Sequence, residues 1–409
     1  MFSDLCGVRL AIGILTHQDW YGALKTMQPN PIKALLDEER SPVLIDTQAG
    51  LVELTNTLKR HPRIGVDTEA NSLYAYREWV CLIQISVPGT DYLVDPLALD
   101  DLSPLAPMFE SPEVEKIFHA ADYDLMVLRR DLGFTTRSIF DTMWAGRILG
   151  WPKVGLANVL ATHFDVHPNK KYQRYNWGAR PLDPKALTYA WMDSHYLIAL
   201  SDIQKSELEA AGRWAEAQEI FDYLTTTVEV PPADHEARHF WRLKGVHTLR
   251  PYELKKLYQL YLWRERTAER LDRPPVKVIS SRWLVTLARV QPRSRGELAA
   301  VGIAASQVRR YGSEILGALR SDNLPDPPEP VRHPRLPEAV VDRFNRLKAW
   351  RKAVAAGRGV DSDVILPNAV LWNLAQNRPG TLQALLDMPG IGPWRQATYG
   401  PDLLQLVSY

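Results

Sequence analysis

Short apolar, β-branched runs at 63–68, 80–87 and 91–94, each bounded by turn residues, predict three strands in the first half of the chain. Between and after them apolar positions recur at helical spacing, at 53–59, 124–132, 156–164 and 184–211, with Leu125, Leu128 and Leu132 sharing one face. The alternation predicts an α/β unit with a mixed sheet. Beyond residue 231 the pattern is helical throughout, and it repeats. Val278-Ile279-Ser280 with Leu284, Leu287 and Ala288 matches Ile365-Leu366-Pro367 with Leu371, Leu374 and Ala375 at an offset of 87. Leu298, Gly302-Ile303, Tyr311-Gly312 and Leu316 then match Leu386, Gly390-Ile391, Tyr399-Gly400 and Leu404 at an offset of 88. One helical module of ~80 residues, large enough to fold alone, is therefore duplicated. Between the copies, residues 321–337 hold six prolines in 17 positions, a density that favours an extended spacer. The chain divides into an α/β unit at 1–230 with a 30-residue N-terminal extension, a module at 235–320, the spacer at 321–337 and a second module at 338–409. Two linked modules gain avidity on one long ligand, so an extended partner is expected.

Composition narrows the class. With 45% hydrophobic and 24% charged residues in 409, the chain reads as an ordinary folded protein of two or three domains. Two cysteines, Cys6 and Cys81, exclude a disulfide framework and a Cys-rich zinc site, and they suit a reducing compartment. No apolar run nears the about 18 residues of a membrane span. The mildly apolar start at 7–15 is broken by Arg9 and has no cleavage site after it, so a cytoplasmic protein without a membrane partner is expected. The net charge of +1 conceals an asymmetry: 21 Lys and Arg face 31 Asp and Glu in residues 1–230, against 28 and 17 in 231–409. A basic half suits a polyphosphate ligand. An acidic half would repel that ligand unless cations bridged the two.

Candidate chemistry begins in the strand Ile64-Gly65-Val66-Asp67-Thr68-Glu69. Residues two apart in a strand share a face, so Asp67 and Glu69 repel one another unless a cation lies between them. A solvated strand end before the turn at Asn71-Ser72 is the plainer reading of the pair. Tyr189 and Asp193 share a helix face at i, i+4, and Asp124 opens a helix after the apolar run at 116–119. Taken singly, Asp124 reads as a first-turn acid and Tyr189 as a half-buried core tyrosine. Residues 167–185 carry Lys170, Lys171, Arg174, Arg180 and Lys185 interleaved with Tyr172, Tyr175 and Trp177, a pattern suited to a groove that follows phosphates while rings stack on bases. A solvated loop over a buried tryptophan is its alternative. His119 reads as structural. Pro389-Gly390-Ile391-Gly392-Pro393 could offer backbone N–H groups to a phosphate, but the first copy lacks the second glycine, which favours a tight turn. The absence of a G-x-x-x-x-G-K-[ST] motif excludes a helicase motor.

Asp67-x-Glu69, His119-Ala120-x-x-x-Asp124 and Tyr189-x-x-x-Asp193, in that order, resemble the three exonuclease motifs of the DEDD superfamily in its tyrosine-containing branch. The duplicated module resembles the HRDC domain, and the combination is similar to the bacterial ribonuclease D family from about residue 30 to 409. Cys81-Leu82-Ile83-Gln84-Ile85 is similar to the family's second strand, and residues 155–160 with Lys170, Gln173, Trp177 and Arg180 to its third region. Two stretches depart from the family. Lys171, Tyr175 and Asn176 stand where ribonuclease D commonly carries serines and an aspartate, and Ala70-Asn71-Ser72-Leu73-Tyr74 is closer to exosome-associated relatives.

The resemblance implies a ribonuclease H-like α/β exonuclease domain followed by two all-α HRDC domains. It implies Asp67, Glu69, Asp124 and Asp193 as ligands of two divalent ions, Mg²⁺ or Mn²⁺, and Tyr189 as the residue that orients the attacking water. Four carboxylates with no His or Cys at ligand spacing suit such hard ions. Lys170, Gln173, Arg174, Trp177 and Arg180 would hold the substrate. The implied reaction is stepwise 3′→5′ hydrolysis of RNA to nucleoside 5′-monophosphates by a monomer without organic cofactor, with tRNA precursors as the expected substrate. Nothing in the ligand set separates ribose from deoxyribose, so a DNA exonuclease shares the pattern. A non-catalytic RNA-binding scaffold would share the basic half.

Overall fold

The computed structural model describes residues 41–230, 236–321, 323–330 and 335–408; the N-terminal extension, residue 235 and part of the spacer lie outside the described residues. Strands β1 (Val43–Ile45), β2 (Arg63–Ala70), β3 (Val80–Val87), β4 (Thr90–Val94), β5 (Glu115–Phe118) and β6 (Ile139–Asp141) form one sheet in the order β1-β4-β3-β2-β5-β6. β2, β3 and β4 make an antiparallel meander, while β1, β5 and β6 join in parallel, so the sheet is mixed as expected. The meander holds the three strands marked in the sequence. The other three are too short to display an alternation.

Helices α1 (Gln48–Leu58), α2 (Ala106–Glu110), α3 (Asp122–Leu132), α4 (Thr142–Ile148), α5 (Leu156–Phe164), α6 (Pro184–His195), α7 (Leu197–Ala210) and α8 (Trp214–Thr226) complete this half. The single helix expected at 184–211 is two helices that meet at Tyr196, which is buried against Phe164 with ring centroids 5.1 Å apart. The break lets α6 cover β3 and β4 while α7 turns to pack on β5 and α4. One sheet face carries the main core, with Leu54, Ile64, Val66, Ile85, Leu125 and Leu128. The other carries Leu82, Trp177, Ala186, Tyr189 and Trp191. Gly65 brings β2 against α6: a Cβ there would lie 2.6 Å from the Ser194 carbonyl oxygen, which any side chain would violate.

The first helical module comprises α9 (Glu236–Trp241), α10 (Pro251–Arg270), α11 (Pro275–Val278), α12 (Ser281–Val290), α13 (Arg295–Val301) and α14 (Ala305–Arg320). The second comprises α15 (Glu338–Arg358), α16 (Ser362–Ile365), α17 (Asn368–Asn377), α18 (Leu382–Leu386) and α19 (Pro393–Ser408). Each buries its own core, around Leu257, Leu284 and Ile315 in one and Leu347, Leu371 and Leu403 in the other.

The described part of the spacer and the second module are each held by contacts to the rest of the chain. The described part of the spacer lies along the first module: Trp241 Nε1 donates to the Pro328 carbonyl at 2.8 Å, and Lys255 pairs with Asp326 at 2.6 Å. The second module is docked on α8 through buried charges. Fully buried Glu216 accepts from Arg358 at 2.7 and 2.9 Å. Glu219 accepts from the Trp394 and Arg395 amides and, at 3.2 Å, from the Arg395 guanidinium. The turn at 389–393, weighed above as a phosphate seat, therefore already holds a carboxylate of its own chain. A Cβ at Gly392 would lie 2.4 Å from the Glu219 carboxyl carbon, so any side chain there would push that carboxylate off the amides it binds.

Candidate metal centre

Strand alternation turns Asp67 and Glu69 toward α6, whose consecutive turns carry Tyr189 and Asp193. Carboxylate oxygens of Asp67, Glu69 and Asp193 all lie within 4.8 Å of one another. Thr68, between the two strand acids, points to the opposite face and donates its hydroxyl to Asp124 Oδ1 at 2.5 Å. Asp124, in the first turn of α3, thus approaches the end of β2 from the other side of the sheet. The start of α3 is fixed by a further acid, Asp141. Its buried carboxylate accepts from the amides of Ala120 and Ala121 at 3.2 and 2.7 Å and caps α4 through Met143 and Trp144 at 2.9 and 3.0 Å.

Four carboxylates gathered out of water favour protons when no cation is present. Burial, then repulsion from Asp124, Asp193 and Glu69, holds the Asp67 carboxyl well above the usual range. Burial followed by Asp193 and Asp124 does the same to Glu69. Burial pushes Asp124 up to about 7 against the opposing hydrogen bond from Thr68, and it pushes Asp193 up to about 7 against the opposing bond from Tyr189. A divalent cation would replace those protons. The donor set fits one, since every ligand is a hard oxygen. Gln84, fully buried and paired in register with Asp67, has no hydrogen-bond partner for either amide atom, so a polar guest suits the floor of the site as well. Tyr189 is raised above the ordinary phenol value by burial and by the charges of Asp193, Glu69 and Asp67. It therefore stays protonated and acts as a donor.

The structure brings together Asp67, Glu69, Asp193 and Tyr189, with Asp124 joined through Thr68. Of the residues expected to hold substrate, Gln173 and Arg174 are exposed on the turn at Lys170–Arg174, and the Lys170 side chain lies outside the described ones. Two expectations are corrected. Trp177 is 1% exposed, packed edge-on against Tyr175 at 5.0 Å and beside Tyr189, so its ring supports the active-site helix and has no face for a base. Arg180 is exposed, yet its guanidinium is held by the fold: two bonds to Asp95 at 2.7 and 2.6 Å, and others to the carbonyls of Trp177, Ala179 and Cys81. His119 is structural, bonded to Thr142 at 2.8 Å and kept neutral by burial, which lowers its pKa to about 4. Thr68, Gln84 and Asp141 were not singled out in the sequence. Only Asp141, a capping residue closing an apolar run, left a signal there.

A mixed sheet whose second strand ends in paired acids, completed by acids from a helix on each face, defines a 3′-5′ exonuclease domain of the DEDD type. Residues 42–209 match the 3′-5′ exonuclease family, and 253–319 and 341–407 each match the HRDC domain. Ribonuclease D of Musicola paradisiaca is 30% identical over 317 residues, covering 76% of this chain and 82% of that protein. The exosome complex exonuclease RRP6 of Saccharomyces cerevisiae is 31% identical over 303 residues, 70% of this chain; the chain spans 41% of that longer relative. The crystal structure of Escherichia coli RNase D, described as an exoribonuclease involved in structured RNA processing, superposes with a TM-score of 0.63 at 25% identity over 90% of this chain and 99% of that one. The chain belongs to the ribonuclease D family of 3′-5′ exoribonucleases.

Proposed function

We propose that the chain is a metal-dependent exoribonuclease that removes nucleotides one at a time from the 3′ ends of structured RNAs, tRNA precursors among them, as a cytoplasmic monomer. The observation that carries the reading is the convergence of Asp67, Glu69 and Asp193 within 4.8 Å, with Asp124 tied to the same strand. Two Mg²⁺ or Mn²⁺ ions held by these four acids would activate a water and neutralise the leaving 3′-oxygen. The chain's own groups do the rest. Tyr189, protonated and bonded to Asp193 while the acids are free of metal, would turn its hydroxyl to orient the water once cations occupy those acids. Gln84 and Trp177, both buried, back the site, while Asp67 and Glu69 stay partly open to solvent. Exposed Gln173 and Arg174, with Lys170 beside them in sequence, are placed to meet RNA phosphates.

Incubating the protein with a 5′-labelled tRNA precursor and with matched RNA and DNA oligonucleotides tests this reading. Stepwise shortening of RNA from its 3′ end is expected in Mg²⁺ or Mn²⁺, abolished by chelator and by Asp67→Asn. Turnover that survives chelation overturns the metal chemistry. DNA turnover equal to that of RNA overturns the ribonuclease assignment.

A further inference from the structure

Among the described residues four aromatic side chains are exposed, and three of them, Tyr74, Trp79 and Tyr123, lie in the two segments that flank the acids. Trp79 is 43% exposed and Tyr123 42%, although most tryptophans of the chain are wholly or partly buried. Tyr123 immediately precedes Asp124. Trp79 immediately precedes the residue of β3 that pairs with Ala70, next to Glu69.

The backbone beneath these rings is held from several directions. The Trp79 amide donates to Asn71 Oδ1 at 2.8 Å, and its carbonyl accepts from the Asn71 amide at 3.3 Å and from Cys81 Sγ at 3.2 Å. Val80 N donates to Asp131 at 2.9 Å, and Arg130 grips both Asp131 and Glu78. Glu78 also accepts the Tyr123 hydroxyl at 3.1 Å, so one carboxylate joins the two aromatic positions. The far side of the loop is anchored on the first helical module, where Asp272 accepts the Tyr76 amide at 3.0 Å and the Tyr76 ring packs on the module's core. The Tyr74 hydroxyl donates to the Arg174 carbonyl at 2.5 Å, tying the loop to the turn that displays Gln173 and Arg174.

A tryptophan whose backbone is fixed while 43% of its surface stays exposed keeps an apolar area that folding does not use. It is pre-ordered for a flat apolar partner, and pre-ordering lowers the entropic cost of binding. We propose that Trp79 and Tyr123 form an aromatic rim on which bases of the single-stranded RNA tail stack as its 3′ end enters the acid cluster. The occupant is assigned by continuity with the acids, since Tyr123 adjoins Asp124 and Trp79 adjoins the residue paired across the sheet with Ala70, the neighbour of Glu69, and by the base-tolerant chemistry of stacking. The inference rests on the exoribonuclease reading and goes further by naming residues that grip the strand outside the reacting phosphate. They touch substrate without touching the reacting atoms.

Steady-state kinetics of the full chain on a short single-stranded oligoribonucleotide and on a single-nucleotide phosphodiester, such as a p-nitrophenyl ester of a nucleoside 5′-monophosphate, provide the test. Trp79→Ala is expected to raise KM for the oligonucleotide about 5- to 150-fold, the loss of one stacked base. The KM for the single-nucleotide ester, which has no neighbouring base, should not follow. Trp79→Phe should recover most of the loss, because a phenyl face still stacks. Tyr123→Phe separates the ring from the hydroxyl bonded to Glu78 and should likewise retain binding, whereas Tyr123→Ala should not. A Trp79→Ala enzyme whose KM rises equally on both substrates, or on neither, overturns the rim. A wild-type chain that hydrolyses neither substrate in Mn²⁺ overturns the activity on which the rim depends, and the two failures are thereby told apart.

Discussion

Asp124→Asn separates what the acid cluster does for folding from what it does for chemistry. Asp124 is buried and its pKa is raised from 3.8 to about 7. A carboxyl group that binds its proton more tightly in the folded chain loses stability as pH rises from its unfolded to its folded pKa, so without metal the cost grows between pH 3.8 and about 7 and is complete above that. A rise of that size is worth about 4 kcal/mol at 1.4 kcal/mol per pH unit. That shift is already net of the bond from Thr68, for which asparagine keeps an uncharged acceptor. In chelator at pH 8 the variant should therefore be more stable than the wild type by up to about 4 kcal/mol, read as a rise in Tm. The advantage should shrink toward zero near pH 4, where both forms are neutral. Added Mn²⁺ should reverse the order, because only the wild type binds with its full set of ligands. Thermal melts at the two pH values, with chelator and with Mn²⁺, give the answer. A variant that melts below the wild type in chelator at pH 8 refutes the idea that the carboxylates are held together against their own repulsion.

Three further substitutions have definite outcomes. Tyr189→Phe removes a single donor, so kcat should fall about 100-fold while KM and the metal-induced rise in Tm persist; a defect confined to KM would contradict the water-orienting role. Arg180→Ala leaves Asp95 buried without its cation at a cost of about 3 to 5 kcal/mol, so Tm should drop by about 10 °C, and Arg180→Lys should not restore it. Unchanged melting with weakened RNA binding would return Arg180 to the substrate. Arg358→Met should destabilise by a smaller amount, because Glu216 keeps only Arg213 at 3.5 Å, and a second change, Glu216→Gln, should recover most of the loss as read by urea denaturation.

How far the sequence disclosed this molecule depended on whether a feature was local. The meander strands and the helix at 156–164 were legible because alternation and helical periodicity are properties of short windows. Asp67 and Glu69 could be placed on one face for the same reason. The meeting of Asp124 with that strand was not legible from periodicity, because it runs through Thr68, on the opposite face, and through Asp141, which sets the turn at Ala120. Only the family resemblance linked those positions. The basic and aromatic stretch at 167–185 misled for an instructive reason. Alternation of arginine and aromatic residues describes a nucleic-acid groove and a packed corner equally well, and in Trp177 and Arg180 the corner won, since a single buried carboxylate, Asp95, captured the guanidinium. Trp79 escaped notice because one tryptophan beside a strand is unremarkable until its exposure is known.

The charge asymmetry between the two halves acquires a second meaning from the docking of the last module. Arg358 and Arg395 of the basic half meet Glu216 and Glu219 of the acidic half, while Arg147 of the acidic half pairs with Asp361 and Asp363 of the basic one. Part of the attraction available to nucleic acid is thus used within the chain. Buried pairs of this kind add little net stability compared with apolar packing, yet any other arrangement would leave Glu216 with Arg213 alone, at 3.5 Å, so they act by selecting one docking geometry over its competitors. Salt should then affect the two uses differently. Contacts between exposed Lys or Arg and RNA phosphates release counterions and weaken steeply as salt rises. The Glu216 and Glu219 pairs, shielded from solvent, are screened far less, so high salt should release the RNA while the second module stays seated.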